Sequence, residues 1–133
     1  RNPGFRAAVI VSGVGPMPDT MPADAFAGLT LPLMATGGTL DVVGTGGPDV
    51  QPWTWRLGAY DLAPAGDKYR VALERGDHYL GGLIAGPTGA ARRTRLTLAF
   101  LDAYLRGDGA ARRFLRDTDV AAASGGRVRY DRK

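Results

Sequence analysis

Three short apolar runs constrain the fold of this chain more than any other feature of its sequence. Arg6-Ala7-Ala8-Val9-Ile10-Val11-Ser12 is continuous and stopped by Gly13, which suits a strand buried on both faces of a parallel sheet. Leu31-Pro32-Leu33-Met34-Ala35 is the second run, with Pro32 tolerable at a strand's start and Gly37-Gly38 at its exit. Residues 69–73 form the third, led by Lys68 and closed by Gly76.

Between and after these runs the spacing changes. A Gly/Pro-rich stretch runs through Pro22, followed by a short helix predicted over 23–27. A helix is expected over 53–62, where Trp53, Leu57 and Tyr60 share a face. Leu98, Leu101 and Leu105, flanked by Phe100 and Tyr104, predict an amphipathic helix over 92–106 that ends at Gly107. A second short helix is expected over 110–115, and the last ten residues read as a polar tail. Strand, helix, strand, helix, strand, helix is the order of a parallel α/β sheet covered on both faces, here with three strands and no internal repeat. An edge strand of so small a sheet exposes an unpaired ladder unless a partner covers it.

The 133 residues suit one core. The net charge of +4 is uneven: residues 1–91 hold 6 basic and 8 acidic groups, residues 92–133 hold 11 and 5. Clustered arginine attracts phosphate. These arginines, however, surround an apolar helical pattern, alternate with aspartate and lack interleaved aromatics, so they read as a solvated helix face with no nucleic-acid partner. The absence of cysteine excludes a disulfide framework, a cysteine-based metal site and a thiol nucleophile within this chain. No apolar run approaches the ~18 residues of a membrane span.

Two residues stand where α/β sheets collect their chemistry. Asp41 follows the Gly-Gly exit of the second strand, and His78, the one histidine of the chain, follows the exit of the third. Their separation of 37 positions accommodates one helix and one strand, so adjacent strands would bring the two side chains together. An aspartate there can accept a hydrogen bond from one ring nitrogen and fix the tautomer; the histidine can then act as acid and base. The bland alternatives are a turn-capping aspartate and a structural histidine.

Leu31-Pro32-Leu33-Met34-Ala35-Thr36-Gly37-Gly38-Thr39-Leu40-Asp41 and Gly76-Asp77-His78-Tyr79-Leu80-Gly81-Gly82 resemble the acid and histidine loops of α/β-hydrolases, nearest the dienelactone-hydrolase-like and acetylhydrolase-like serine esterases. The resemblance spans roughly residues 6–116, with 100–108 similar to the family's closing helix. It implies a three-strand portion of an α/β-hydrolase sheet, with Asp41 and His78 as acid and base of a triad and a small ester as substrate. The family's nucleophile stands in a G-x-S-x-G elbow earlier in the chain. No such pentapeptide occurs, and the only serines are Ser12 and Ser124. Together with a start at Arg1-Asn2-Pro3-Gly4-Phe5, which looks like a cut, this leads to the expectation that residues 1–133 are the C-terminal portion of one hydrolase domain. Its partner would be the N-terminal half that carries the nucleophile and oxyanion donors, and the chain alone would be inactive. The rival expectation is a non-catalytic α/β binding or pseudo-hydrolase module.

Other readings rank lower. Asp77 is next to the histidine in sequence and badly placed to orient it; Asp49 lies farther from a strand end. Ser12 lacks both elbow glycines and stands on the strand that the resemblance places after the nucleophile strand. Gly38, Gly44, Gly46 and Gly47 form neither nucleotide-binding pattern, and one histidine with scattered carboxylates makes no metal set, so neither cofactor nor metal is expected. Met17, Met21, Phe26, Trp53 and Tyr79 are candidate pocket walls, with core packing as the alternative for each.

Overall fold

A computed structural model describes residues 4–17, 19–43, 50–78 and 87–133, the last from Thr94 onward with side chains. Four strands form one sheet in the order β1 (Ala8–Val11), β2 (Leu33–Gly38), β3 (Lys68–Leu73), β4 (Val128–Arg132). The first three are parallel, with Ala8 beside Leu33 and Leu33 beside Lys68; β4 runs antiparallel to β3, with Leu73 beside Val128. The chain therefore has the α/β class expected, with one more strand than the sequence reading gave it.

Residue alternation along the central strands sorts side chains between two layers. Met34, Tyr69, Val71 and Leu73 point to one face, where they meet Leu96 and Phe100 of helix α2 (Pro87–Leu101), Leu115 of α3 (Gly109–Asp117) and Val120 of α4 (Val120–Ala123). Leu33, Ala35 and Ala72 point to the other. There they meet a 3-10 turn at Trp53–Leu57 and helix α1 (Gly58–Leu62), through Leu57, Ala59 and Tyr60. Trp53, Leu57 and Tyr60 share the apolar face that their spacing predicts. Asp108 and Asp119 cap α3 and α4, each accepting from backbone N–H groups of the first turn.

Four expectations need correction. The predicted polar tail contains α4 and β4: Gly125 and Gly126 turn the chain at positive φ, Val128 is buried, and the intervening charges pair across the strand as Arg70 with Asp131 and Arg129 with Glu74. The alternation of apolar and charged residues there is that of a half-solvated edge strand, which a search for apolar runs passes over. The first strand is half-buried at the opposite edge, with Val11 exposed. Residues 23–28 form successive turns and no helix: the N–H groups of Ala25, Ala27 and Leu29 donate three residues back, to Pro22, Asp24 and Phe26, and not four. Along α2 and the turn that follows it the buried stripe is Leu96, Phe100, Ala103 and Tyr104, whereas Leu98 and Leu105 face solvent. A π-helical turn at Asp102–Arg106 follows α2 and ends at Gly107 with φ 74°, which is the predicted stop. Among the described residues no helix is long and apolar enough to cross a membrane.

Candidate functional site

The exits of β2 and β3 are joined by backbone. Thr39 N–H donates to the Leu73 carbonyl, Leu40 N–H to the Gly76 carbonyl at 2.8 Å, and Arg75 N–H to the Thr39 hydroxyl at 2.8 Å. The approach requires glycine: a Cβ on Gly38 would stand 2.2 Å from the Gly76 carbonyl oxygen, inside any real contact distance. Arg75 adopts φ 59°, the left-handed turn that reverses the chain after β3.

This joint delivers Asp41 and His78 to one place. Asp41 closes a turn onto the Gly38 carbonyl and is buried, while the His78 side chain is 53% exposed. His78 Nδ1 lies 3.0 Å from Asp41 Oδ1. A carboxylate accepts and does not donate, so the ring presents its proton at Nδ1 and leaves Nε2 as the basic nitrogen. The pair that the sequence analysis singled out is thus assembled by adjacent parallel strands. Leu40 and Val42, the sequence neighbours of the buried Asp41, are both exposed.

Arg56, which the sequence analysis did not select, completes the arrangement. It stands in the last turn of the Trp53–Leu57 segment, where its Nε donates to the same Asp41 Oδ1 at 3.2 Å and its Nη1 to the Gly13 carbonyl at 3.3 Å. Its guanidinium also lies 5.7 Å from the Trp55 ring centre, and Trp55 in turn donates from Nε1 to the Pro16 carbonyl. The available signal was a lone cation inside Trp-Thr-Trp-Arg-Leu, since a charge within an apolar helical stretch needs an opposite partner.

Ser12 stands at the β1 exit with φ 43°, and its hydroxyl donates to the His78 backbone carbonyl at 3.2 Å. It therefore steadies the histidine loop. Asp49, Tyr79 and the remaining glycines of the histidine loop lie outside the described residues, as do Gly44, Gly46 and Gly47. Of the candidate walls, Phe26 packs beside Leu33 and Trp53 beside Leu57, so both serve the core; Met17 and Met21 pair through backbone hydrogen bonds. Among the described residues no three His, Cys, Asp or Glu side chains converge to hold a metal ion.

The C-terminal arginines are placed individually. Arg116 pairs with Asp67, Arg106 with Asp102 and Arg129 with Glu74, while Arg95 and Arg112 lie over the Phe114 and Tyr104 rings. A comparison of the sequence with protein-family models finds no match, and a comparison with curated proteins finds none either.

Proposed function

We propose that this chain carries the acid and the acid/base histidine of a serine ester hydrolase of α/β-hydrolase type, with the nucleophile on a segment outside these 133 residues. The observation that carries the reading is the 3.0 Å contact between His78 Nδ1 and Asp41 Oδ1 across two adjacent parallel strand exits. In this reaction the serine oxygen attacks the ester carbonyl while His78 Nε2 takes the serine proton. The tetrahedral intermediate expels the alcohol, which receives that proton from His78. Water, deprotonated by the same nitrogen, then attacks the acyl-enzyme carbonyl, and the second tetrahedral intermediate releases the acid while the departing serine oxygen takes that proton back from His78. Asp41 holds the ring and stabilises the imidazolium in both halves. The exposed Leu40 and Val42, next to Asp41 in the chain, suit a contact with the nucleophile-bearing part or with the apolar portion of a small ester.

The test is an intact-mass spectrum of the native sample before and after a fluorophosphonate serine probe, repeated with His78→Ala. The expected result is one adduct on a second polypeptide, or on a segment joined to this chain, that disappears in the variant. An adduct on Ser12 overturns the two-part arrangement, and no His78-dependent adduct at all overturns the hydrolase reading in favour of a non-catalytic module.

A further inference from the structure

Asp41 Oδ1 serves two donors at once, Arg56 Nε at 3.2 Å and His78 Nδ1 at 3.0 Å, while Asp41 Oδ2 is buried with no partner among the described residues. A carboxylate that uses one oxygen for both contacts has no hydrogen bond on the other to fix its orientation, so the direction of Oδ1 depends on what its two donors are tied to. Arg56 supplies a restraint, because the same guanidinium that grips Oδ1 also grips the Gly13 carbonyl on the neighbouring strand exit. With the Ser12 hydroxyl on the His78 carbonyl, the contacts close a ring that runs Ser12, His78, Asp41, Arg56, Gly13 and back through the chain to Ser12.

We infer that Arg56 is the positioning residue of the Asp41–His78 pair, a guanidinium that ties the acid to the backbone of the β1 exit and so keeps Oδ1 aimed at Nδ1. The inference rests on the reading of Asp41 and His78 as acid and base. Arginine suits the task because its planar fork reaches two acceptors in fixed directions, whereas a lysine ammonium is a point charge on a flexible stem. The Arg56 side chain is only 15% exposed and its guanidinium lies near Trp55, which limits its own freedom.

The chain has one histidine, so selective nitrogen-15 labelling yields a single pair of ring signals whose positions report which nitrogen carries the proton. The spectra are recorded for the chain and for its Asp41→Asn, Arg56→Gln and Arg56→Lys variants, at a pH where the ring is neutral, with far-ultraviolet circular dichroism as the check on folding. The unaltered chain is expected to show protonation at Nδ1. Asp41→Asn should abolish that preference; if it does not, the pairing of acid and histidine is itself overturned. Arg56→Gln should lower the ratio of the two tautomers about tenfold, the scale of one charge-assisted hydrogen bond. Arg56→Lys should give an intermediate ratio, and it decides the matter if the glutamine variant does not fold. A ratio in a folded Arg56 variant equal to that of the unaltered chain, with Asp41→Asn effective, overturns the role of Arg56 and leaves the pair intact.

Discussion

Asp41 is buried and His78 half-exposed, yet a single 3.0 Å contact joins them across the sheet. The burial difference separates their contributions to stability. Asp41→Ala removes the partner of the Arg56 guanidinium and leaves a poorly solvated cation, which should cost about 3 kcal/mol or more. His78→Ala should cost less than about 1 kcal/mol. Urea denaturation of the two variants measures this difference. If the proposed hydrolase function holds, Asp41→Asn in the assembled enzyme is expected to lower ester hydrolysis about 10⁴-fold, the loss seen when a triad acid becomes an amide.

The close approach of Gly38 and Gly76 yields a second expectation. A methyl group on Gly38 meets the Gly76 carbonyl oxygen at 2.2 Å and carbonyl carbon at 2.3 Å, all backbone, so the strand exits must part. Gly38→Ala should lose about 3 kcal/mol or more and weaken the Asp41–His78 contact. Gly76→Ala meets its nearest atoms at 3.1 Å and should lose only about 1 kcal/mol. Denaturant midpoints that rank the two the other way would contradict this account of the joint.

Removing residues 127–133 distinguishes a strand from a tail. Without β4 the outer edge of β3 loses five residue pairings from Tyr69 to Leu73, and the Tyr69–Tyr130 ring contact at 6.1 Å is lost with them. The shortened chain is expected to lose its cooperative unfolding transition, whereas deleting a solvated tail would leave the midpoint unchanged. The charge pairs on β4 matter less: Asp131→Asn should shift stability by under about 1 kcal/mol, because Arg70 and Asp131 are both partly solvated.

Asp67 gives the chain an acid-sensitive point at the opposite end of β3. Burial pushes its carboxyl upward, but hydrogen bonds from Arg116 and Tyr104 together with the positive charges of Arg116 and Arg112 outweigh burial and hold it below the ordinary aspartate value. A lowered folded-state value means that the unfolded chain binds the proton first. The stabilisation from Asp67 is therefore complete above about pH 4 and is lost as the pH falls further, through the folded value. Asp67→Asn should flatten the fall in the urea midpoint between about pH 4 and pH 2 while leaving the trend above pH 5 unaltered.

Much of the interior was legible because it rests on apolar runs and a turn signal. Leu33 to Ala35 and Tyr69 to Leu73 announce the central strands, Gly107 announces the helix end, and the placement of Asp41 and His78 follows from two adjacent strands. The remainder depends on contacts between distant segments. Val128 and Tyr130 read as a tail because Arg129, Asp131 and Arg132 dilute them, and only cross-strand partners such as Glu74 and Arg70 give those charges a place. Arg56 showed only as a lone cation in an apolar stretch for the same reason: its meaning lies in Gly13 and Asp41, which are 43 and 15 positions away. The shift of the α2 stripe from Leu98 to Leu96 and Phe100 reflects the packing of Met34 and Tyr69 beneath it, which helical spacing alone does not encode.

The antiparallel pairing of β4 with β3 also sets an order in time. Every other element of the sheet precedes Val128 in the chain, so during synthesis β3 emerges before the segment that closes its edge. A ribosome stalled before that segment holds a chain whose central strands are present but open on one side, with Asp41 and His78 already made and only the outer edge of β3 still waiting for its partner.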